Sequence, residues 1–271
     1  MPVVIKVLVQ NEIKVGRIQR EIKILNEINS QYFPRFHCQA FISKGIIEDY
    51  VDNLDVAKEK ERIDELIKNP PGPFFVTCEE FIENIGWAEF EKKVSNELML
   101  VDFVIHLFNA LEILWNNKIV HRDIKPDNIL IRPDLRPVII DLGVAKSLRE
   151  GTKNLTLLGL APCTPQYAAP EQFETGAEVT YKADQFAVGV ILYHLVTGVF
   201  PYGRYNEIEL EGLLHNFKTI LPKQAKDING KISQGFTDFL HRLLEVQPYK
   251  RYRNIFAIQE TLQAIRGTIL C

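Results

Sequence analysis

Cysteine is scarce in this chain of 271 residues, and neither sign of charge is in surplus. The four cysteines (Cys38, Cys78, Cys163 and Cys271) have no close paired spacing, so they read as reduced cytosolic thiols and not as a disulfide frame or a zinc site. Basic residues number 32 and acidic residues 35, a formal net charge of −3. That balance gives no reason to expect nucleic acid or an anionic membrane as partner. No apolar run reaches the roughly 18 residues that a membrane helix requires. The short apolar run at the N-terminus is interrupted by Asn11-Glu12-Ile13-Lys14 and carries no cleavage-like site. Internal repeats and low-complexity tracts are missing too. These absences suggest a soluble, cytoplasmic protein. Its 46% hydrophobic content can bury a substantial core in one large domain or two small lobes.

What is present is strong periodicity. Residues 3–9 are rich in β-branched side chains and read as a strand. Over residues 15–29, Ile18, Ile22, Leu25 and Ile28 recur at steps of three and four, the apolar face of a helix. Residues 36–47 read as strand and 52–68 as a charged helix, stopped by Asn69-Pro70-Pro71-Gly72. Another strand begins at Phe74. Residues 98–116 form a long helical pattern with Phe103, Leu107, Leu111 and Leu114 on one face and His106 beside that stripe, packed or half-exposed. Residues 128–131 and 137–140 read as short strands around a turn at Pro133-Asp134. Residues 181–192 begin a helix that is apolar nearly all round, which implies burial. Residues 207–217, 236–246 and 255–265 supply three amphipathic helices.

The chemistry concentrates in His121-Arg122-Asp123-Ile124-Lys125-Pro126-Asp127-Asn128, followed eighteen positions after Asp123 by Asp141-Leu142-Gly143. This pair of motifs resembles the catalytic loop H-R-D-L-x-x-x-N and the metal-binding D-F-G of the eukaryotic-type (Hanks-type) serine/threonine protein kinases. The resemblance runs along nearly the whole chain, in the family's order. Val3 to Lys6 resembles the strand with the V-A-I-K signature, with Val4 where alanine is usual. Residues 20–25 resemble the αC helix, and Glu21 sits where the family's ion-pair glutamate sits. Residues 80–84 resemble the hinge that binds the adenine edge, through Glu80 and Ile82, and Glu79 falls near the gatekeeper position. Ala169-Pro170-Glu171, residues 181–192 and Gln247-Pro248-Tyr249-Lys250-Arg251 are similar to the A-P-E motif, the long buried helix and the late D-P-x-x-R motif, with Gln247 in place of aspartate.

The resemblance implies an α+β, protein-kinase-like bilobal fold. A reduced N-lobe (three-stranded sheet plus αC) would span residues 1–83, with the helical insertion at about 52–68. A mainly helical C-lobe would span residues 84–271, the two forming one catalytic domain with ATP between the lobes. It implies transfer of the ATP γ-phosphate to serine or threonine of a protein substrate. Phosphoryl transfer needs alignment and charge stabilisation more than covalent help. Asp123 would orient the acceptor hydroxyl and take its proton, with Lys125 near the transferred phosphate. Asn128 and Asp141 would hold Mg²⁺. Lys6, clamped by Glu21, would hold the α- and β-phosphates, and Leu130 would floor the adenine. Thr164 would bond to Asp123 and Lys125 in the substrate loop. Arg122 would read the activation segment, where Ser147, Thr152 and Thr156 are candidate phosphosites and Cys163 a candidate for oxidation. Asp184 would anchor the catalytic-loop backbone and Arg251 would pair with Glu171. Leu25, His121 and Leu142 would stack as a hydrophobic spine.

One departure stands out. The sequence contains no G-x-G-x-x-G, the family's phosphate lid, and starts at the lysine strand. Weaker ATP binding and more water access are the expected consequences. The strand at residues 2–9 would be a bare sheet edge, able to pair with a partner strand or a second copy. The missing lid fits either a truncated kinase or a naturally minimal one, and the alternative class is a catalytically weak or inactive kinase-fold scaffold, pseudokinase-like or truncated, that acts by binding a partner.

Overall fold

A computed structural model describes residues 2–8, 12–43, 74–142, 146–147 and 164–270. The helix expected at 52–68, its stop at 69–72, Gly143, Thr152, Thr156 and Cys163 lie outside the described residues. The chain divides into two compact units, Met1–Ile82 and Glu83–Cys271.

Among the described residues, the first unit is a three-stranded antiparallel sheet with one helix. Strands β1 (Val3–Leu8), β2 (Phe36–Ile42) and β3 (Phe74–Glu80) lie in the order β1-β3-β2. The central strand β3 is the buried one, with Phe74 and Phe75 nearly inaccessible. On the outer strand β1, Val3, Val4, Ile5 and Val7 are each 37–48% exposed. Helix α1 (Glu12–Glu27) buries Ile22, Ile24 and Leu25, and Ile28 just beyond it, as its three-and-four spacing dictates. The β2–β3 register sets Cys38 opposite Cys78, next to an irregularity between Phe36 and Cys38. Forty positions of sequence hid this neighbouring pair of free thiols.

The second unit is mainly helical: α2 (Trp87–Lys93), α3 (Glu97–Asn116), α4 (Tyr181–Thr197), α5 (Tyr205–Thr219), α6 (Ala225–Ile228), α7 (Gln234–Leu243) and α8 (Ile255–Leu270). Short strand pairs join them: β4 (Ile119–Val120) with β7 (Lys146–Ser147), and β5 (Ile129–Ile131) with β6 (Pro137–Ile139). Side-chain caps start three of the helices. Asn96 accepts from the Met99 amide at 2.9 Å, Thr180 from Lys182 at 3.3 Å and Ser233 from Phe236 at 3.1 Å. Gly198, at φ 73°, closes α4 in the left-handed conformation that glycine adopts without strain.

Helix α3 corrects an expectation. It is 20 residues long and apolar enough, by length and composition, to cross a membrane, although no run of that kind is evident on reading the sequence. Its Leu100, Val101, Phe103, Val104, Leu107, Phe108 and Leu111 are buried in the unit's own core, where α8 packs against it. Helix α4 is buried continuously from Ala183 to Tyr193. Gly189 permits its close approach to α7, since a Cβ there would sit 2.9 Å from Leu243 Cβ. Most element boundaries lie a few residues from the sequence reading, and two of the differences bear on the site or the sheet. Strand β2 ends at Ile42, and Asn128 belongs to a 3-10 turn (Pro126–Asn128) instead of opening β5. The proline at the turn's first position favours that geometry.

Candidate active site

In the first unit the chemistry centres on Lys6, whose Nζ donates to Glu21 Oε1 at 2.9 Å. Glu21 comes from the buried face of α1, which explains a carboxylate only 3% exposed as a residue. A second carboxylate, Glu79 Oε2 from β3, lies 3.0 Å from the same ammonium. Burial pulls the Lys6 pKa down, but Glu21 and Glu79 pull harder the other way and leave it above its ordinary value. Glu80, expected at the hinge, donates its amide to the Arg35 carbonyl at 2.8 Å and accepts from the Arg35 amide at 3.2 Å. Its backbone amide is therefore engaged within the unit. The Ile82 side chain is buried at 3% exposure.

In the second unit the loop 121–128 is built around the Asp123 carboxylate, whose side chain is 10% exposed. Its Oδ1 accepts from the Thr164 amide at 2.9 Å and from Thr164 Oγ1 at 3.0 Å. Its Oδ2 accepts from Asn128 Nδ2 at 3.2 Å and lies 2.9 Å from Lys125 Nζ. Lys125 also donates to Thr164 Oγ1 at 2.7 Å. Each carboxylate oxygen thus has two donors, roughly the full capacity of the group. Asn128 Nδ2 also donates to the Asp123 carbonyl at 2.8 Å, so its amide nitrogen is committed and its oxygen is the atom suited to a ligand.

The loop is held from below by Asp184 of α4. That carboxylate accepts from the amides of His121 and Arg122 and from Trp115 Nε1, at 3.1, 2.9 and 3.0 Å. Burial raises its pKa, against the pull of His121 and of these three donors. The buried His121 ring has Nδ1 accepting from the Asp123 amide at 3.3 Å and Nε2 3.3 Å from the Ile140 carbonyl, which places its proton on Nε2. Arg122 is held at φ 71° and Asp141 at φ 59°, left-handed conformations uncommon for non-glycine residues. Strain of this kind gathers at functional sites. The Arg122 guanidinium donates to the Val179 carbonyl at 3.3 Å.

Arg251 is buried and makes five bonds from its five N–H groups. It bonds Glu171 twice, at 2.7 and 2.9 Å, and the carbonyls of Glu245, Lys182 and Val246 at 2.7, 2.8 and 3.1 Å. Leu130 lies in β5, half-buried, and Leu142 is fully buried.

Sequence reasoning missed several supports. Trp115 is one. Trp87 Nε1 donates to the carbonyls of Pro126 and Ile129 at 2.8 and 3.1 Å, tying α2 to the loop. Gln172 Nε2 donates to the Arg122 carbonyl at 2.9 Å while its Oε1 takes the Ala169 amide at 3.0 Å. Two indoles and an amide in apolar or polar stretches leave no spacing signal. Glu79 was visible only as an odd residue near the hinge.

For a metal, the committed nitrogen of Asn128 leaves its carbonyl oxygen, and Asp141 is an exposed carboxylate. An all-oxygen pair of this kind fits Mg²⁺, which takes few protein ligands and keeps the rest for water and phosphate.

Residues 1–264 match the protein kinase domain family. A probable serine/threonine-protein kinase of Clostridium acetobutylicum is 29% identical over 191 residues, 70% of this chain and 27% of that protein. A serine/threonine-protein kinase of Myxococcus xanthus is 31% identical over 198 residues, 72% of this chain and 28% of that protein. Rhodopsin kinase of Rattus norvegicus is 36% identical over 171 residues, 62% of this chain and 28% of that protein. The chain spans between a quarter and a third of the length of these relatives. With the order of its motifs and a family match that reaches from residue 1 to residue 264, this chain belongs to the protein kinase domain family.

Proposed function

We propose that this chain transfers the γ-phosphate of ATP to serine or threonine hydroxyl groups of proteins. The observation that carries the reading is the closed cluster of Asp123, Lys125, Asn128 and Thr164. Asp123 orients the incoming hydroxyl and takes its proton. For that, one of its four donors must yield. Lys125 is suited to do so, because Thr164 Oγ1 is its second partner and a phosphate oxygen its better one. Thr164, bonded to Asp123 through both backbone and side chain, fixes the aspartate while the lysine turns. Asp184 keeps the loop backbone rigid throughout, so the reacting groups need little reorganisation.

Lys6, anchored by Glu21, binds the α- and β-phosphates. The backbone carbonyl of Glu80, whose amide is taken by Arg35, a backbone group at Ile82 and the side chain of Leu130 meet the adenine. Asn128 and Asp141 hold Mg²⁺, which when bound neutralises charge on the phosphate oxygens. A protein substrate is supported by a concavity that begins at Thr164 and continues over Gln166, His194, Phe200, Arg204 and Tyr205. Gln166 is itself fixed there, by bonds to the Gly203 carbonyl at 3.0 Å and the Tyr205 amide at 2.6 Å.

As a finer reading of partners, the outer edge of β1 takes a strand from a second copy of the chain. Four exposed β-branched residues on an outermost strand support it. Light scattering at high concentration that finds only monomer would remove this part.

The test of activity is transfer from labelled Mg²⁺-ATP to a generic basic protein, with Asp123→Ala and Asp141→Ala alongside. A loss of at least about a hundredfold in Asp123→Ala is expected for a catalytic acid–base group. Undiminished phosphorylation by that variant overturns the assignment.

A further inference from the structure

Two carboxylates close on Lys6, and they reach it by independent routes. Glu21 Oε1 lies 2.9 Å and Glu79 Oε2 3.0 Å from Nζ, with both glutamate side chains 4% exposed. Glu21 depends on where α1 sits. Glu79 does not. The β1–β3 register sets Thr77 opposite Lys6 and Glu79 opposite Val4, so Glu79 is the diagonal neighbour of Lys6 on the same face of the sheet. A ladder of backbone hydrogen bonds therefore fixes the Lys6–Glu79 pair, whatever the helix does.

Glu79 is also costly where it stands. Its Oε1 is buried with no hydrogen-bond partner among the described residues. An orphaned buried acceptor of this kind is destabilising, because it gives up its water without a replacement partner. Packing alone would be better served by an apolar side chain. The group that benefits from a carboxylate at this position is Lys6.

We propose that Glu79 is a second, standing counter-ion of Lys6, which holds the ammonium at its place on the sheet when Glu21 is neutralised or α1 is displaced. Glu79 is a positioning residue: it acts through Lys6. An ammonium has three N–H donors, so two bonds to carboxylates leave one for a phosphate oxygen. The charged groups acting on Lys6 are Glu21 from α1 and Glu79 from β3. Removal of either charge leaves a neutral, partly buried pair. Removal of both leaves an unpaired, partly buried cation, which gives up its proton more readily. The consequence for turnover rests on the kinase reading above, but the pairing itself does not.

The experiment measures acylation of Lys6 by acetic anhydride against pH, read by mass spectrometry, in the wild type, Glu21→Gln, Glu79→Gln and the double variant. Glutamine keeps the shape and removes the charge. Each single variant is expected to label at pH 8 within about threefold of wild type, and the double variant more than about tenfold faster, one pKa unit being a factor of ten in free amine. In phosphate transfer, the double variant is expected to raise KM for ATP by more than the product of the two single effects, the mark of two groups sharing one partner. If Glu21→Gln alone labels as fast as the double variant, Glu79 does not hold Lys6 and the proposal falls. Should the double variant fail to fold, the labelling of Glu21→Gln decides by itself: near wild type supports the proposal, a tenfold rise overturns it. Absence of transfer in every protein, with labelling as expected, overturns the kinase reading and leaves the second counter-ion standing.

Discussion

Trp115 donates its indole N–H to Asp184 at 3.0 Å, across 69 positions of sequence. The indole is the side-chain member of the three donors that keep this buried carboxylate in place beneath the loop at 121–128. It also packs against Phe108 and Tyr181, so phenylalanine in its place retains most of the ring contact and loses the bond. Trp115→Phe should destabilise the protein by roughly 1.5–3 kcal/mol, the range for a hydrogen bond to a charged group. Urea denaturation measures it. A loss under half a kcal/mol would mean that the two backbone donors suffice.

Thr164 offers a cleaner probe of the cluster than Asp123, because its two bonds to that carboxylate are separable. Thr164→Val keeps the amide bond and deletes Oγ1, which also removes the second partner of Lys125. Transfer should fall roughly tenfold to a hundredfold, as expected when a reacting group loses its orientation. Thr164→Ser should restore most of it. Equal activity in the valine and serine variants would show that the hydroxyl is not used.

Two glycines should respond with opposite signs. A Cβ on Gly189 would meet Leu243 Cβ at 2.9 Å, an atom bonded to the backbone that cannot swing away, and Leu244 Cδ2 and Cγ at 3.2 Å. Gly189→Ala should therefore cost about 1–3 kcal/mol as α4 and α7 separate. Gly16 lies inside α1 with nothing within 4 Å of its virtual Cβ. Gly16→Ala should stabilise by about 0.5–1 kcal/mol through helix propensity. Thermal melts of the two variants make the comparison, and a shared sign would contradict it.

Lys182 sets a pH dependence. Burial, then Arg251 and Arg242, lower its pKa from 10.5 to about 8. The folded value lies below the unfolded one, so between about pH 8 and 10.5 the unfolded chain binds more protons and stability rises with pH. Burial lowers the pKa of His106, His194 and His241 as well, which removes stability as pH falls below their ordinary 6.5. The melting temperature of the wild type, taken relative to Lys182→Gln, should climb from pH 7.5 to 9.5. A flat difference would assign the lysine no share in it.

The loop at 121–128 was legible because its residues are contiguous, and so carry their pattern in the chain itself. Asp184 and Arg251 were legible because each falls in a motif of its own. Their supports were not. Trp115 and Trp87 sit in helices whose sequence shows only apolar spacing, and Gln172 is one amide among many. Glu79 and the Cys38–Cys78 pair depend on strand register, and register is fixed by pairing between segments that the sequence keeps far apart. Helix α3 shows the converse limit. Its composition alone fits a membrane span, and only the side chains packed around it identify it as core.

The bond between Glu171 and Arg251 joins residues eighty positions apart, and Asp184 lies sixty-three after His121. On a ribosome adding roughly 5–20 residues per second, Glu171 waits about 4–16 s for its guanidinium. The loop at 121–128 is synthesised before every anchor that fixes it from the C-terminal side. For those seconds helix α4, apolar nearly all round, lacks the α7 surface that later covers Gly189. Synthesis therefore includes an interval in which apolar surface is open to non-native contacts, and a translational pause placed between residues 197 and 251 would lengthen it.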